Sequence, residues 1–241
     1  MTNEKIIENS FNYIKGLIKS KELYGKYVNN SFKSLDYPSS FFMAGSPGAG
    51  KTEFSKSFIK KLNENNSLQV IRIDADEIRN MCPLYTGDNS HLFQKAANKG
   101  VEALHEYALK NNYNFLIDGT FQSDRYESNI ERSLKRGRDV YIIYVFQEPK
   151  IAWEFTQKRE KIEKRKVTIE TFIDAFLRSI ENVNNAKKIF GSKIKIHFIK
   201  KDYYNDKIIE YHMNINNLDS YIKNSYTEEA LHNQLVNIKF D

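Results

Sequence analysis

Apolar residues along the chain fall into two alternating patterns. Short apolar runs flanked by polar residues are typical of buried strands, and they occur at residues 41–44, 68–73, 115–118, 140–146 and 193–199. Between these runs, apolar residues recur at the spacing of amphipathic helices. Strands that alternate with helices in this way predict a mostly parallel sheet that is covered on both faces.

The helical pattern predicts the segments that cover the sheet. A leading segment over residues 3–27 places on one face Ile6, Ile7, Phe11, Ile14 and Leu17. Thr168 is the expected N-cap of a later helix, because its hydroxyl can accept from a backbone N–H of the first turn. Further helices are predicted at residues 92–109, 125–135, 149–164, 168–190 and 218–236, with a loop at 81–89 and one more strand at 208–213.

A glycine-rich motif of the pattern G-x-x-x-x-G-K-[ST] follows the first predicted strand. It reads Gly45-Ser46-Pro47-Gly48-Ala49-Gly50-Lys51-Thr52. The glycines let successive backbone N–H groups turn toward phosphate oxygens, Lys51 reaches the β/γ-phosphates, and the Thr52 hydroxyl can hold Mg²⁺. A helix predicted from Lys51 adds the positive end of its dipole. This strand–loop–helix order predicts a nucleotide-binding phosphate loop.

The motif and the alternating elements together predict the fold class. We expect a P-loop kinase-like three-layer α/β/α fold with a mostly parallel sheet and additional N- and C-terminal helices. No Pro-, Gly- or Ser-rich stretch divides the 241 residues. We therefore expect one domain over residues 1–241, with residues 1–30 as a leading helical segment.

Acidic residues follow two of the predicted strands, where ligands of parallel sheets bind. Asp74 and Asp76 end the second strand, and Asp118 and Thr120 follow the third. Asp76 is the candidate base for an acceptor hydroxyl, and Asp118 is a candidate Mg²⁺ ligand with Thr52. Helix capping is the alternative for Asp74 and Asp76, and a purely structural strand end is the alternative for Asp118.

A basic run at residues 158–166 contains the candidates for neutralising charge on a transferring phosphoryl group. Arg159 and Arg165 could close over the phosphates as a lid. The alternative is a solvated helix face, because acids are interleaved with the bases. The two interpretations predict different neighbours for these arginines in the folded chain.

Composition narrows the class of protein further. The formal net charge is +6, but Lys and Arg are scattered among acids, so a polyphosphate ligand explains the charge as well as nucleic acid does. The single cysteine, Cys82, cannot form an internal disulfide, which suits a reducing compartment. No apolar run approaches the roughly 18 residues of a membrane span. We expect a cytoplasmic protein that does not associate with membranes.

The ordered set of motifs resembles the zeta toxin family of phosphate-loop kinases, the toxic halves of bacterial toxin–antitoxin pairs. The resemblance covers roughly two thirds of the chain and rests on the phosphate loop, the 73–79 segment, Glu102 before the 113–120 segment, and Arg159 with Arg165. It implies an ATP- or GTP-dependent, Mg²⁺-dependent kinase that phosphorylates a sugar hydroxyl of UDP-N-acetylglucosamine or a related UDP-amino sugar. It also implies a separate small antitoxin protein as partner.

The resemblance implies roles for individual residues. Asp76 matches the aspartate that activates the acceptor hydroxyl, and the acceptor is held by residues that match Glu102, Asp118 and Thr120. Lys51 and Thr52 match the phosphate and Mg²⁺ contacts, and the lid arginines match Arg159 and Arg165. The chain departs from the best-known members at two positions, with Asp118 in place of a glutamate and Gln122 in place of an arginine that would grip a diphosphate.

Three other functions remain open from the sequence. The absence of arginine at position 122 keeps open a kinase of another small acceptor, such as a nucleotide or an antibiotic. A regulatory GTPase would need a guanine-reading [NT]-K-x-D segment, and residues 199–202 lack its first residue. A nucleic-acid end kinase or motor would need a concentrated basic groove with aromatic residues, whereas the chain has only the 158–166 run.

Overall fold

A mostly parallel sheet lies at the centre of the molecule. The computed structural model describes residues 1–64, 69–202, 207–222, 226–236 and 238. In this part of the chain, six strands form one sheet in the order β2-β3-β1-β4-β5-β6, in which only β6 runs antiparallel to its neighbour. The strands are β1 Ser39–Ala44, β2 Val70–Asp74, β3 Asn114–Asp118, β4 Asp139–Phe146, β5 Ile194–Asp202 and β6 Lys207–His212.

Helices connect the strands and cover both faces of the sheet. Their bounds are α1 Asn3–Lys19, α2 Glu22–Gly25, α3 Lys51–Glu64, α4 Ala75–Asn80, α5 Gln94–Lys110, α6 Tyr126–Leu134, α7 Pro149–Glu163, α8 Ile169–Phe190 and α9 Glu228–Val236. The apolar side of α3 packs on one face of the sheet. The other face lies under a larger cluster to which α1, α5, α6 and α8 contribute buried residues.

Alternation along the strands divides the core into these two clusters. In β1, Met43 joins the cluster under α3, whereas its neighbours Phe42 and Ala44 join the larger one. Successive side chains of a strand point to opposite faces, so a strand with two apolar faces must be buried on both. The short apolar runs of the sequence therefore form the parallel strands β1 to β5, as expected.

Strand register brings the functional strand ends to one edge of the sheet. Asp74 at the end of β2 pairs with Asp118 at the end of β3. The phosphate loop leaves the end of β1, whose Ala44 pairs with Tyr144 of β4. Because the neighbouring strands are parallel, their carboxyl ends meet at the same edge.

The structure confirms the predicted three-layer α/β/α architecture and most of the predicted helices. The helices from Pro149 and from Ile169 begin and end close to the predicted positions, and Thr168 accepts from the Thr171 N–H at 3.2 Å as the N-cap. The last predicted strand is the antiparallel edge strand β6. Residue 68, predicted as the start of a strand, lies outside the described residues.

Two helix predictions differ from the structure. The leading helical segment is not continuous, because α1 ends at Lys19 and Lys21 has a left-handed backbone with φ +65 before α2. The helix predicted over 218–236 was wrong in its first part. Residues 218–222 form a turn closed by the Leu218 carbonyl, and helical structure in the described residues begins at Glu228. A single turn buries Leu218 and Ile222 without a continuous helix.

No helix in the described ranges combines the length and apolar character that crossing a membrane requires.

Candidate active site

The phosphate loop joins β1 to α3, and the lysine of its motif folds back to contact the loop backbone. The Gly45 N–H donates to the Thr120 carbonyl at 3.2 Å, and Lys51 Nζ donates to the Ser46 carbonyl at 2.6 Å. Burial lowers the pKa of Lys51 to about 8, and the nearby Asp118 carboxylate opposes that shift. The lysine of the motif is thus held inside the loop, where the phosphates of a nucleotide would lie.

Gly48 brings the phosphate loop into direct contact with α7. A Cβ atom at this position would lie 2.0 Å from the Ala152 carbonyl oxygen and 2.7 Å from Thr156 Oγ1. The residue also has φ +71, a conformation that favours glycine. Only a residue without a side chain permits this approach, so the middle glycine of the motif is required by packing against α7.

Asp74 and Asp76 follow β2 and have different tasks. Asp74 is the N-cap of α4, and its Oδ1 accepts from the Asp76 N–H at 2.8 Å. This confirms the capping alternative for Asp74. Burial raises the pKa of Asp74, and Arg72 opposes that shift. The carboxylate of Asp76 does not cap the helix and is directed instead toward arginines.

Three arginines surround the Asp76 carboxylate. Arg165 Nη1 lies 2.6 Å from Oδ1 and 2.5 Å from Oδ2, although the two residues are 89 positions apart. Arg79 also donates to Oδ1, and Arg159 Nη2 lies 3.7 Å from Oδ2. The fold therefore joins the start of α4 to the end of α7 through this carboxylate.

The two candidate lid arginines lie at the Asp76 carboxylate, whereas Lys158 of the same basic run does not. Arg159 is on α7, and Arg165 follows Lys164, whose left-handed backbone ends the helix. Lys158 pairs with Glu154 on the same helix, with half of its side chain exposed. The basic run is thus divided: the part at Lys158 is a solvated helix face, and the arginines face Asp76.

Asp118 lies in a buried ionic cluster that sequence reasoning did not find. Its Oδ2 accepts from Arg72 Nη2 at 2.5 Å and from the Ser55 hydroxyl at 2.7 Å. Arg72 also donates to Asp74 at 2.6 Å. An arginine within an otherwise apolar strand was the available signal, because a buried charge requires partners.

The residues proposed for Mg²⁺ fit an ion that arrives with a nucleotide. Thr52 stands in the first turn of α3 next to Lys51. Asp118 is the other candidate ligand, but its Oδ2 already accepts hydrogen bonds from Arg72 and Ser55. Among the described residues, no group of three or more His, Cys, Asp or Glu side chains could hold a metal. Mg²⁺ is commonly bound through one or two protein ligands plus substrate phosphates, which this arrangement permits.

A pocket of about 250 Å³ opens beside the ends of β1 and β3. The three residues predicted to hold an acceptor, Glu102, Asp118 and Thr120, all line it. Glu102 accepts from Arg132 at 2.8 Å, and the Thr120 hydroxyl donates to Gln122 at 2.8 Å. Apolar and aromatic side chains complete the lining, among them Phe42, Ile73, Ile117, Phe121 and Tyr126.

His105 is a pocket residue that the sequence did not single out. It lies on α5 three residues after Glu102, is buried, and packs edge-on against Phe115. Burial, and then Arg132, lower the pKa of His105 to about 3, so its imidazole is neutral. Its Nε2 has no hydrogen-bond partner among the described residues.

A parallel sheet in this order, with a phosphate loop leaving an inner strand and a pocket at the carboxyl edge, defines the P-loop kinase fold. The zeta toxin family model matches residues 24–214. The chain therefore belongs to the zeta toxin family.

Solved structures show the same fold at low sequence identity. A chain from the PezAT toxin–antitoxin system of Streptococcus pneumoniae has a TM-score of 0.63 and 16% identity, with 94% of this chain and 88% of that chain covered. The AvrRxo1-ORF1:AvrRxo1-ORF2 complex with ATP has a TM-score of 0.54 and 13% identity, with 92% and 70% covered. A search of curated protein sequences found no match.

Proposed function

We propose that this chain is a kinase that uses ATP or GTP to phosphorylate a hydroxyl group of a small acceptor, with Asp76 as the base. Family membership supports phosphoryl transfer. The observation that carries the proposal is the meeting of Asp76 with Arg159 and Arg165 at the edge where Lys51 lies. Transfer requires an acid that accepts the hydroxyl proton and cations that stabilise the moving phosphoryl group.

The phosphate loop binds the nucleotide in this proposal. Lys51 exchanges its contact with the Ser46 carbonyl for the β/γ-phosphates, and the loop N–H groups hold the remaining oxygens. Thr52 is the hydroxyl that would hold Mg²⁺, which neutralises phosphate charge when it is bound. Gly48 packs against α7, so the loop and the helix that leads to the arginines form one surface.

Binding of the triphosphate also prepares the base. Arg165 donates to both oxygens of Asp76, so this carboxylate can reach the hydroxyl of an acceptor only when the guanidinium turns away. The γ-phosphate offers the guanidinium a competing anion with a matching bidentate geometry. We expect Arg165 and Arg159 to turn toward the phosphate, and Asp76 is then free to contact the acceptor.

We propose UDP-N-acetylglucosamine or a related UDP-amino sugar as the acceptor, following the family resemblance. The pocket places Glu102, Asp118 and Thr120 around an apolar and aromatic lining, and sugar rings combine apolar faces with hydroxyl groups. One observation favours a second candidate, a kinase of another small acceptor. Gln122 bonds to the Thr120 hydroxyl and contributes no charge for gripping a diphosphate.

We also propose a small antitoxin protein as the partner of this chain. The structural neighbour from Streptococcus pneumoniae belongs to a toxin–antitoxin system, which supports such a pairing. Interleaved acids and bases in the 158–166 run give little support to a nucleic-acid partner.

The kinase proposal is tested by incubating the purified protein with ATP, Mg²⁺ and UDP-N-acetylglucosamine and measuring the phosphorylated sugar by mass spectrometry. Asp76→Asn keeps the shape of the side chain but cannot accept the proton. We expect turnover to fall by on the order of 10²-fold or more, while ATP affinity stays within about threefold. Lys51→Ala should lose turnover as well, by more than about tenfold.

Asp36→Asn is the matched control, because Asp36 is exposed and precedes β1 at the opposite edge of the sheet. It should retain wild-type turnover. Unchanged turnover in Asp76→Asn would return Asp76 to a structural role. Phosphorylation of other metabolites in a cell extract, without phosphorylation of the UDP-sugar, would select the second candidate.

A further inference from the structure

β5 brings a lysine to the phosphate loop from the far side of the sheet. This strand is parallel to β4, and its carboxyl end reaches the edge where the loop lies. Ile199 belongs to the apolar cluster under α3, and Lys201 lies two residues further along. Lys201 lies on the side of the phosphate loop, because its side chain ends beside Gly50. The side chain is buried, with 8% of the residue exposed.

Lys201 lies directly against Gly50, the residue before Lys51. A Cβ atom on Gly50 would be 3.7 Å from Lys201 Cδ and 3.9 Å from its Nζ. A side chain at position 50 would therefore be in van der Waals contact with Lys201, so the end of the lysine side chain lies beside the loop at Gly50. The phosphate loop therefore has two lysine side chains near it from distant parts of the chain. One is Lys201, and the other is Lys51, whose Nζ donates to the Ser46 carbonyl inside the loop.

The pairing of β5 with β6 explains how Lys201 reaches this position. The register between the two strands shifts between Lys200 and Lys201. Irregularities of this kind redirect side chains and are frequent next to active sites. The Lys201 carbonyl is fixed by the buried Gln147 side chain at 3.2 Å. The preceding residue, Lys200, pairs with Glu148 at 3.1 Å and lies over the Phe146 ring.

We propose that Lys201 is a second nucleotide-binding lysine, which contacts the α-phosphate of the bound nucleotide. The backbone of a phosphate loop cradles the α- and β-phosphates, and the Lys201 side chain ends beside that backbone at Gly50. The inference rests on the proposed nucleotide-dependent function and adds a residue to it.

The proposed contact has a kinetic signature. Charge develops on the γ-phosphoryl group and on the leaving β-phosphate in the transition state, whereas the charge of the α-phosphate does not change, so a lysine at the α-phosphate contributes uniform binding. Loss of uniform binding raises KM and leaves kcat unchanged. Lys201→Met should therefore raise the KM for ATP by about tenfold or more with kcat within about twofold, whereas loss of a group that contacts the γ-phosphate lowers kcat.

The experiment compares Lys201→Met with Lys200→Met, the neighbouring lysine that pairs away from the loop. Calorimetry measures the affinities for ATP, ADP and inorganic tripolyphosphate. We expect Lys201→Met to weaken all three by about tenfold and Lys200→Met to change them by less than about twofold. If the Met variant is destabilised, as judged by its Tm, Lys201→Gln is used with the same expectation.

Three results would overturn the inference. The first is wild-type affinity for all three ligands in a folded Lys201 variant. The second is a loss confined to ATP and ADP, which would assign Lys201 to the nucleoside. The third is an equal loss in Lys200→Met, which would indicate general electrostatics. Failure of the kinase proposal is distinguishable, because wild-type protein would then bind none of the ligands, or would bind ATP without transferring phosphate.

Discussion

Among single residues, Lys51 links nucleotide binding to pH. Burial lowers the pKa of Lys51 to about 8, and the Asp118 carboxylate opposes that shift. Near this pH a large fraction of the chains carries a neutral amine. Phosphate oxygens favour the ammonium form, so a bound nucleotide raises the pKa of Lys51. Above about pH 8, nucleotide binding must therefore take up protons, and affinity must fall as the pH rises.

We predict an uptake of at least about half a proton when ATP binds at pH 8.5. The measurement is calorimetry in two buffers with different ionisation enthalpies, with the slope giving the number of protons. Lys51→Arg is the control, because a guanidinium stays charged in this range and its variant should take up none. The same uptake in Lys51→Arg would show that another group is responsible.

At the scale of the element, α7 connects the two ends of the proposed site. Its first half contacts Gly48 of the phosphate loop through Ala152 and Thr156, and Arg159 and Arg165 follow toward Asp76. Because α7 packs directly against the loop, we expect a change in the loop on nucleotide binding to affect the position of α7. In the proposed mechanism, this packing would hold α7 in place while the Arg159 and Arg165 side chains turn toward the phosphate.

For the lid we predict that Arg165→Ala lowers kcat by on the order of 10–10³-fold, because the guanidinium stabilises charge that develops in the transition state. Arg159→Ala should act in the same direction. The Arg165–Asp76 pair is about a third exposed, so the free energy of unfolding should change by less than about 1 kcal/mol.

Replacement of Arg165 by lysine should restore the rate only in part, since a point charge cannot reproduce a planar bidentate grip. Lys158→Ala is the matched control on the solvated part of α7 and should leave kcat unchanged. Turnover is measured at saturating ATP and acceptor. Wild-type kcat in both arginine variants would remove the lid from the mechanism.

For the whole molecule, the leading helix α1 is part of the core. It packs on α5 through Ile14 and Leu17, which are buried. Two other residues of α5, Glu102 and His105, line the pocket. The helix thus supports the element that forms one wall of the proposed acceptor site, and it does not enter the pocket itself.

Deletion of residues 1–27 should therefore lower stability without raising the kinase rate per folded molecule. Ile14→Ala tests the same packing with one side chain and should cost about 2–5 kcal/mol in the free energy of unfolding. Tyr13→Ala, at the exposed neighbouring position, is its control and should change stability little. Chemical denaturation and turnover are measured together, and a faster rate after deletion would indicate autoinhibition by the leading segment.

The sequence by itself determined the architecture and the phosphate loop of this protein. Both are local properties. The periodicity of apolar residues reports which faces of an element are buried, and the loop motif fixes a backbone shape within eight consecutive positions. The architecture also predicts that the strand ends lie together, because parallel strands have their carboxyl ends at one edge of the sheet. This is why Asp74, Asp76 and Asp118 were found as a group before their geometry was known.

Only the tertiary structure decided which side chains meet. The pairs Arg165–Asp76, Arg72–Asp118 and Lys201–Gly50 join residues that are far apart in sequence, and no periodic pattern specifies a partner. The same limit explains the turn at residues 218–222, where a helical pattern is also satisfied by one turn that buries its apolar residues. Local patterns encode burial, whereas partners depend on how the buried surfaces of distant segments fit together.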